Sequence, residues 1–410
     1  MRILMVNHYA ITPDQSGGTR HFTLARELVR QGHSVTIVAS GAHYQGSGGT
    51  VFAAGETMRE EVVEGVRFLR LKTGGNQERT GARFLAMLDF ARRLSAPLVR
   101  ARIGTVDIVY GSSPHLFAAL AAYRLSRRNG TPFVLEVRDL WPESIVALGN
   151  VSERHPIVLI MGAIARYLYR RSDRIVTLLP GSEAHILRMG GRRAGATTIP
   201  NFVDIDLHEG TAPPAARETF TITYAGTHGL ANALDTLIDA AALARADEGL
   251  SHVRFRLVGA GREKERLRER ARAAGLDNVS FDDPVPKQEI GRVLAEADAF
   301  YLQLKPIALY RHGTSLNKLF DYMAAARPVL FAADMPTNPI AACEAGITIP
   351  PEDPQALVQA IRRLVALPAT ERQAMGARAR AHVIAHHGPR AMADRLIGVL
   401  RDAMAGAAAR

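Results

Sequence analysis

The chain has 410 residues, 47% of them apolar and 22% charged, which is the makeup of a soluble globular protein and enough for two or three cored domains. One cysteine, Cys343, excludes an internal disulfide and a cysteine-cluster metal site, and it reads as a small buried hydrophobe in a reducing compartment. A net charge of +11 points to an anionic partner, and 6% aromatic content with no basic-aromatic motif disfavours nucleic acid among the candidates.

"MRILMVN" reads as a strand with no signal-peptide cleavage pattern behind it, and no stretch reaches the roughly 18 apolar residues that span a bilayer. A cytoplasmic protein is expected. A loop and an amphipathic helix from about Thr19 to Gln31 follow, then the strand "HSVTIVAS". Strand-like runs recur at "EGVRFLRL", "VDIVYG", "TPFVLEV" and "DRIVTLL", separated by helical patterns, so residues 1–180 read as one Rossmann-like domain. "TTIPNFVDIDLHEGTAPPAARET", rich in proline, acid and small residues, marks a boundary. The alternation restarts at "FTITYAG" and continues through "VRFRLVGAG", "NVSF", "ADAFYLQL", "RPVLFAA" and "GITIP", giving a second such domain over 200–385. From about Gln355 the chain is helical, and 386–410 is expected to pack back toward the first domain. The fold class is α/β: two doubly wound domains facing a central cleft, with ligands expected in the loops after strands.

Gly17 and Gly18, in "SGGTRH", precede a helix and so offer backbone N–H groups to a phosphate or sugar oxygen, a plain tight turn being the alternative. Arg20 and His21 place cations against the positive helix end, which an anionic ligand would relieve. His115 follows the strand "VDIVYG", and a structural role competes with a catalytic one. In "RDLWPES", Arg138, Asp139 and Glu143 surround Trp141 as a group suited to a hydroxylated sugar, or as a helix cap with packing. Further on, Lys305, Arg311, His312 and Lys318 gather around Gly313. If Thr314 or Ser315 caps the helix there, the N–H groups of Ser315, Leu316 and Asn317 suit a diphosphate, and Asp321 lies deeper on the helix as a ribose acceptor. A surface pair between Lys318 and Asp321 is the plainer reading.

Together these segments resemble the GT-B glycosyltransferases of family 4, the retaining "group 1" transferases, over nearly the whole chain. The resemblance rests on "SGGTRH", on "IPNFVD" at Pro200 to Asp204, and on the helix that in the family carries E-x7-E. "HGTSLNKLFDYM", "GGTRHF" and "VRDLWPESIVALG" look like the subgroup that transfers N-acetylfucosamine or related amino sugars to O-antigen or capsule. The family's first glutamate falls on Gly313 and its second, the ribose acceptor, on Asp321. The Arg and Lys that usually embrace the diphosphate are missing from "YAGTHGLANAL", where Thr227 and Asn232 stand near those positions.

The resemblance implies transfer from a nucleotide diphosphate sugar, with uridine the expected base, to a polyprenyl-diphosphate-linked acceptor, with no cofactor and no metal. Gly18, His115, Lys305 and Lys318 are the candidate catalytic residues. Gly17, Gly18, Gly313, Thr314, Ser315, Leu316, Asn317 and Asp321 are expected on the nucleotide sugar, and Arg20, His21, Arg138, Asp139 and Glu143 on substrate. Phe84, Met87, Leu88, Ala91 and Leu98 form a stripe beside Arg83, Arg92, Arg93, Arg100 and Arg102, which suits an anionic membrane surface at the inner face, or core packing. A nucleotide-sugar epimerase and a non-catalytic partner subunit are the rival functions.

Overall fold

A computed structural model describes every residue except 42–51, 54, 75–79, 114, 150, 192–193, 210–217, 336 and 409–410. Part of the expected inter-domain boundary, 210–217, therefore lies outside the described residues, as does the side chain of Arg83.

Eight strands form the first sheet: β1 (Arg2–Val6), β2 (Ser34–Ser40), β3 (Met58–Val63), β4 (Val66–Leu71), β5 (Ile108–Ser112), β6 (Phe133–Val137), β7 (Arg174–Thr177) and β8 (Ala196–Thr198). Their order is β3-β4-β2-β1-β5-β6-β7-β8, parallel throughout except for β3, which runs antiparallel to β4. The second sheet holds β9 (Phe220–Ala225), β10 (Val253–Val258), β11 (Val279–Asp282), β12 (Ala299–Gln303), β13 (Val329–Ala332) and β14 (Gly346–Ile349) in the order β11-β10-β9-β12-β13-β14, all parallel. Central strands such as "RILMV" and "AFYLQ" are buried on both faces by flanking helices, which is why they read as continuous apolar runs. Strand order reverses between β1 and β5 and again between β9 and β12, so each domain has its ligand crevice beyond the carboxyl ends of those strands.

The first domain runs further than the sequence suggests. β8 joins its sheet beside β7, so the domain closes near Ile199 and not at residue 180. The connection that follows is pinned from several sides. Arg20 donates to the carbonyls of Ile199 (2.9 Å) and Pro200 (2.6 Å), Arg26 pairs with Asp204 at 2.5 Å, and the Asn201 N–H donates to Ser315 Oγ at 2.6 Å. What composition marks as a linker is thus a hydrogen-bonded hub. The final helix, Pro389–Ala408, inserts Met392, Leu396 and Leu400 into the apolar core built by Ile3, Met5, Phe22 and Leu24 of the first domain.

Candidate active site

The two crevices meet where the loop after β1 touches the helix Asn317–Ala324. A Cβ added to Gly18 would stand 2.7 Å from Asn317 Nδ2, so glycine is what lets the first domain's loop approach the start of that helix. The same loop is held by the second domain through its carbonyls: the Lys287 N–H donates to Gln15 O (3.0 Å) and the Gln288 N–H to Pro13 O (3.2 Å).

The helix itself starts later than expected. Leu316 is its N-cap, in extended conformation and with no side-chain cap, so neither Thr314 nor Ser315 fills that role. Ser315 is instead taken by Asn201, which donates from its backbone to Ser315 Oγ and from its side chain to Ser315 O. Thr314 Oγ1 donates to Met335 Sδ at 3.6 Å. The first-turn N–H groups of Asn317 and Lys318 have no intrahelical acceptor, and none elsewhere on the backbone of the described residues. They form the positive end of the element.

Asp321 sits one turn down, buried, and is not open to a ligand in this state. Lys287 Nζ lies 2.5 and 2.6 Å from its two oxygens and His208 Nε2 3.3 Å from one of them. Burial opposes the charge on Asp321, but Lys287 and His208 outweigh it and hold its pKa below the usual value. Lys318 makes no pair with Asp321. Its Nζ turns to the other flank, 2.8 Å from Tyr224 Oη and 2.7 Å from Asn232 Oδ1. Gly313, where the resemblance expects a glutamate, has φ +77°, and a Cβ there would come 3.2 Å from Pro180 Cδ, so the backbone selects glycine. Beside it the Gly181 N–H donates to His312 O at 2.9 Å, a second bridge between the domains.

In the first domain, the expected ligand contacts from Arg20 and His21 give way to an internal cluster. Both are buried, and both converge on Glu136 of β6: Arg20 Nε at 2.8 Å and His21 Nε2 at 2.7 Å, with hydroxyls of Tyr110 (2.7 Å) and Ser112 (2.6 Å) donating to the same carboxylate. Burial works against the Glu136 charge, yet His21 and Arg20 hold its pKa well below the usual range. His115 is likewise enclosed. It caps the helix Leu116–Asn129, Nδ1 accepting from the Ala118 N–H at 3.2 Å, and its ring meets that of His8 with centroids 4.8 Å apart. Burial, and then His8, lower its pKa far below the ordinary value, which leaves an enclosed ring too weakly basic to serve as general base in this state. Arg138, Asp139 and Glu143 follow β6 at the cleft. The Arg138 N–H donates to Ser113 Oγ (3.3 Å), Trp141 Nε1 donates to Ser113 O (3.0 Å), and Glu143 lies 3.2 Å from His185. Asp139 faces across to Tyr310, whose pKa is pushed up to about 12 by burial and by that charge. Lys305 lies apart from the helix end, lining a small recess with Arg266, Leu230 and Glu352.

Glu136, Lys287 and Tyr224 escape a sequence reading because their partners lie far along the chain, His21 and Glu136 being 115 positions apart, and His228 escapes it because nothing local marks its burial. Among the described residues, no group of three or more His, Cys, Asp or Glu side chains could hold a metal ion.

Known proteins place this architecture. Residues 17–201 match the model of the glycosyl transferase 4-like domain, and residues 219–366 that of glycosyl transferases group 1. Over 98% of its length the chain superposes on 99% of sucrose-phosphate synthase from Thermosynechococcus elongatus, with TM-score 0.77 and 17% identity. Over 97% it matches 99% of Anabaena HepE in complex with UDP and glucose (TM-score 0.67, 16% identity). Over 98% it matches 99% of an E. coli trehalose-6-phosphate structure bound with UDP-2-fluoro glucose (TM-score 0.71, 10% identity). At such identities these likenesses show the fold, which is GT-B. No curated protein matches in sequence. With both domains matched in order, the chain is a glycosyltransferase of the 4-like and group 1 type.

Proposed function

We propose that this glycosyltransferase moves a sugar from a UDP-sugar donor to an acceptor hydroxyl, with retention at the anomeric carbon and no resident metal. The observation that carries this reading is the junction of Gly17–Gly18 with the free helix end at Asn317 and Lys318, beyond the switch point of the second sheet. UDP is favoured because two proteins of the same fold were solved with UDP or a UDP-sugar. In the step, the bond from the anomeric carbon to the diphosphate breaks with its electron pair leaving on the phosphate oxygen. The acceptor oxygen bonds to that carbon on the same face, and its proton passes to the departing phosphate. No side-chain base is then needed, which suits a cleft whose buried histidines are weak bases: His8 is pushed down to about 3 and His228 to about 4, burial being the main cause. The protein's task is to meet developing charge with donors placed in advance.

The finer reading is an N-acetylated 6-deoxy amino sugar passed to a polyprenyl-diphosphate-linked saccharide for surface polysaccharide, at the inner membrane face. Motif resemblance supports the sugar. The acceptor is supported by a face of the first domain on which Leu85, Leu88 and Leu98 are exposed, joined by Leu159, Ile160 and Tyr167 on the helix Pro156–Arg171. Phe84 of the expected stripe turns inward against Phe117. Replacing Arg92, Arg100 and Arg102 by Gln is expected to weaken sedimentation with anionic vesicles. No helix of the described residues is long and apolar enough to cross a membrane.

A thermal-shift panel of UDP, GDP, ADP and dTDP tests the donor class, followed by turnover of UDP-sugars with and without acceptor. UDP is expected to stabilise the protein most. A clear GDP preference overturns the subgroup, and epimerised donor without acceptor would make it an epimerase. One observation favours a non-catalytic partner subunit: Asp321 is already occupied by Lys287. Failure of every nucleotide to shift the melting temperature would favour that reading.

A further inference from the structure

Lys318 poses a problem of hydrogen-bond inventory. Tyr224 gives its own hydroxyl proton to Thr227 O (2.7 Å), and Asn232 Nδ2 donates to the same carbonyl (2.9 Å). Tyr224 Oη and Asn232 Oδ1 are therefore left as acceptors, and Lys318 Nζ must donate to both. Two donated hydrogens are the whole complement of a neutral amine. The ammonium has a third, and no carboxylate pairs with Lys318 among the described residues.

The surroundings are set for an anion. Nζ lies 4.7 Å from the Tyr224 ring centroid, and a Cβ on Gly226 would stand 3.1 Å from it, so the amine occupies the mouth of the loop after β9. That is the loop from which the usual diphosphate-binding Arg and Lys are missing. His228, on the same loop and fully buried, has both ring nitrogens without a partner. The free N–H groups of Asn317 and Lys318 open on the same helix end.

We infer that Lys318 stands in for the missing pair as the cation of the donor diphosphate, and that it takes up a proton from solvent as the diphosphate binds. This rests on the nucleotide-diphosphate reading above. The third N–H, created by that proton, is donated to a phosphate oxygen, and it stays on the amine through the transfer step to hold the leaving group. Burial, which lowers the amine to about 7, is in keeping with a neutral resting form. The ionisable groups around it do not supply an internal counter-charge. Tyr224 stays a phenol, its pKa raised by burial. His228 is neutral, lowered by burial and then by Lys264, Lys318 and Arg268. Asp321, on the same helix, is spent on Lys287 and His208.

The test is calorimetric titration of UDP into the full chain at about pH 8, in two buffers of different ionisation enthalpy. The difference in observed heat reads proton uptake directly. The wild type is expected to take up close to one proton, with affinity falling up to about tenfold per pH unit above 7. Lys318→Arg should keep binding with no uptake and a flat pH profile, and Lys318→Met should bind at least about tenfold more weakly. Binding by the wild type without uptake, or wild-type affinity in Lys318→Met, overturns the inference while leaving the donor class intact. If no nucleoside diphosphate binds the wild type, the donor reading fails and this proposal with it.

Discussion

Asp321 holds a buried charge whose partners, Lys287 and His208, come from 34 and 113 residues away. Such a pair is costly to assemble and more costly to break halfway, because one partner's removal strands the other charge without water. Lys287→Met should therefore destabilise the protein by about 3–5 kcal/mol. Asp321→Asn should cost less, since a lysine stem can swing its ammonium toward solvent. Urea denaturation of both variants measures the difference. Equal midpoints for Lys287→Met and wild type would show that the pair contributes nothing. For the pH dependence the sign is set by the depressed Asp321 value: the contribution is complete above the ordinary carboxylate range and is lost as pH falls through the lowered pKa.

At the scale of elements, the contact between Gly18 and Asn317 joins a loop of one domain to a helix end of the other. Gly18→Val puts a branched side chain where only a glycine fits, and the Asn317 amide or the loop must move. We expect kcat/KM to fall at least about a hundredfold, as misplacement near the reacting groups does. UDP affinity, which the proposed donor site assigns to the second domain, should change little. A variant with wild-type kcat/KM would show that the loop need not reach the helix. The elements themselves were largely legible. Buried parallel strands show as apolar runs, and the period of the helix Arg20–Arg30 marks it to within a residue at each end. Two strands were not. β3, "MREEVV", is an exposed antiparallel edge with three charges, and β8, "ATT", is too short for any period to show. The site was legible as a location and less so as chemistry. The Gly-Gly turn and the helix from Asn317 are local features, whereas the engagement of Arg20 and His21 by Glu136 depends on which strand lies beside which. An anion-seeking arginine and a core-bound one look alike until the buried carboxylate is found.

Over the whole molecule, four fully enclosed histidines, His8, His21, His115 and His228, stand in the loops that face the cleft and in the first turn of the helix after β1. Burial lowers the pKa of each, and in His21 it prevails over the opposing pull of Glu136. Their effect on stability has one sign. In the unfolded chain each takes a proton near the ordinary value of about 6.5, whereas the native state refuses it until the pH is lower. Stability should thus fall as pH drops below about 6.5, by roughly 1.4 kcal/mol per pH unit for each histidine still neutral in the fold, whereas Lys318, lowered to about 7, makes stability rise with pH above about 7 and adds no slope below it. Carboxylates with depressed values, such as Glu136 and Asp321, enter only at lower pH, and Asp139, raised by burial, acts with the opposite sign, so a fall between about pH 6.5 and 5 comes from the histidines. Urea unfolding across that window measures the slope. His115→Asn is the informative variant, because asparagine still accepts the Ala118 N–H as a helix cap but does not titrate. Its slope should be shallower than wild type by one histidine's share. A level profile down to pH 5, or an unchanged slope in His115→Asn, would show that these rings reach protons in the folded state, and the cleft would then have a general base after all.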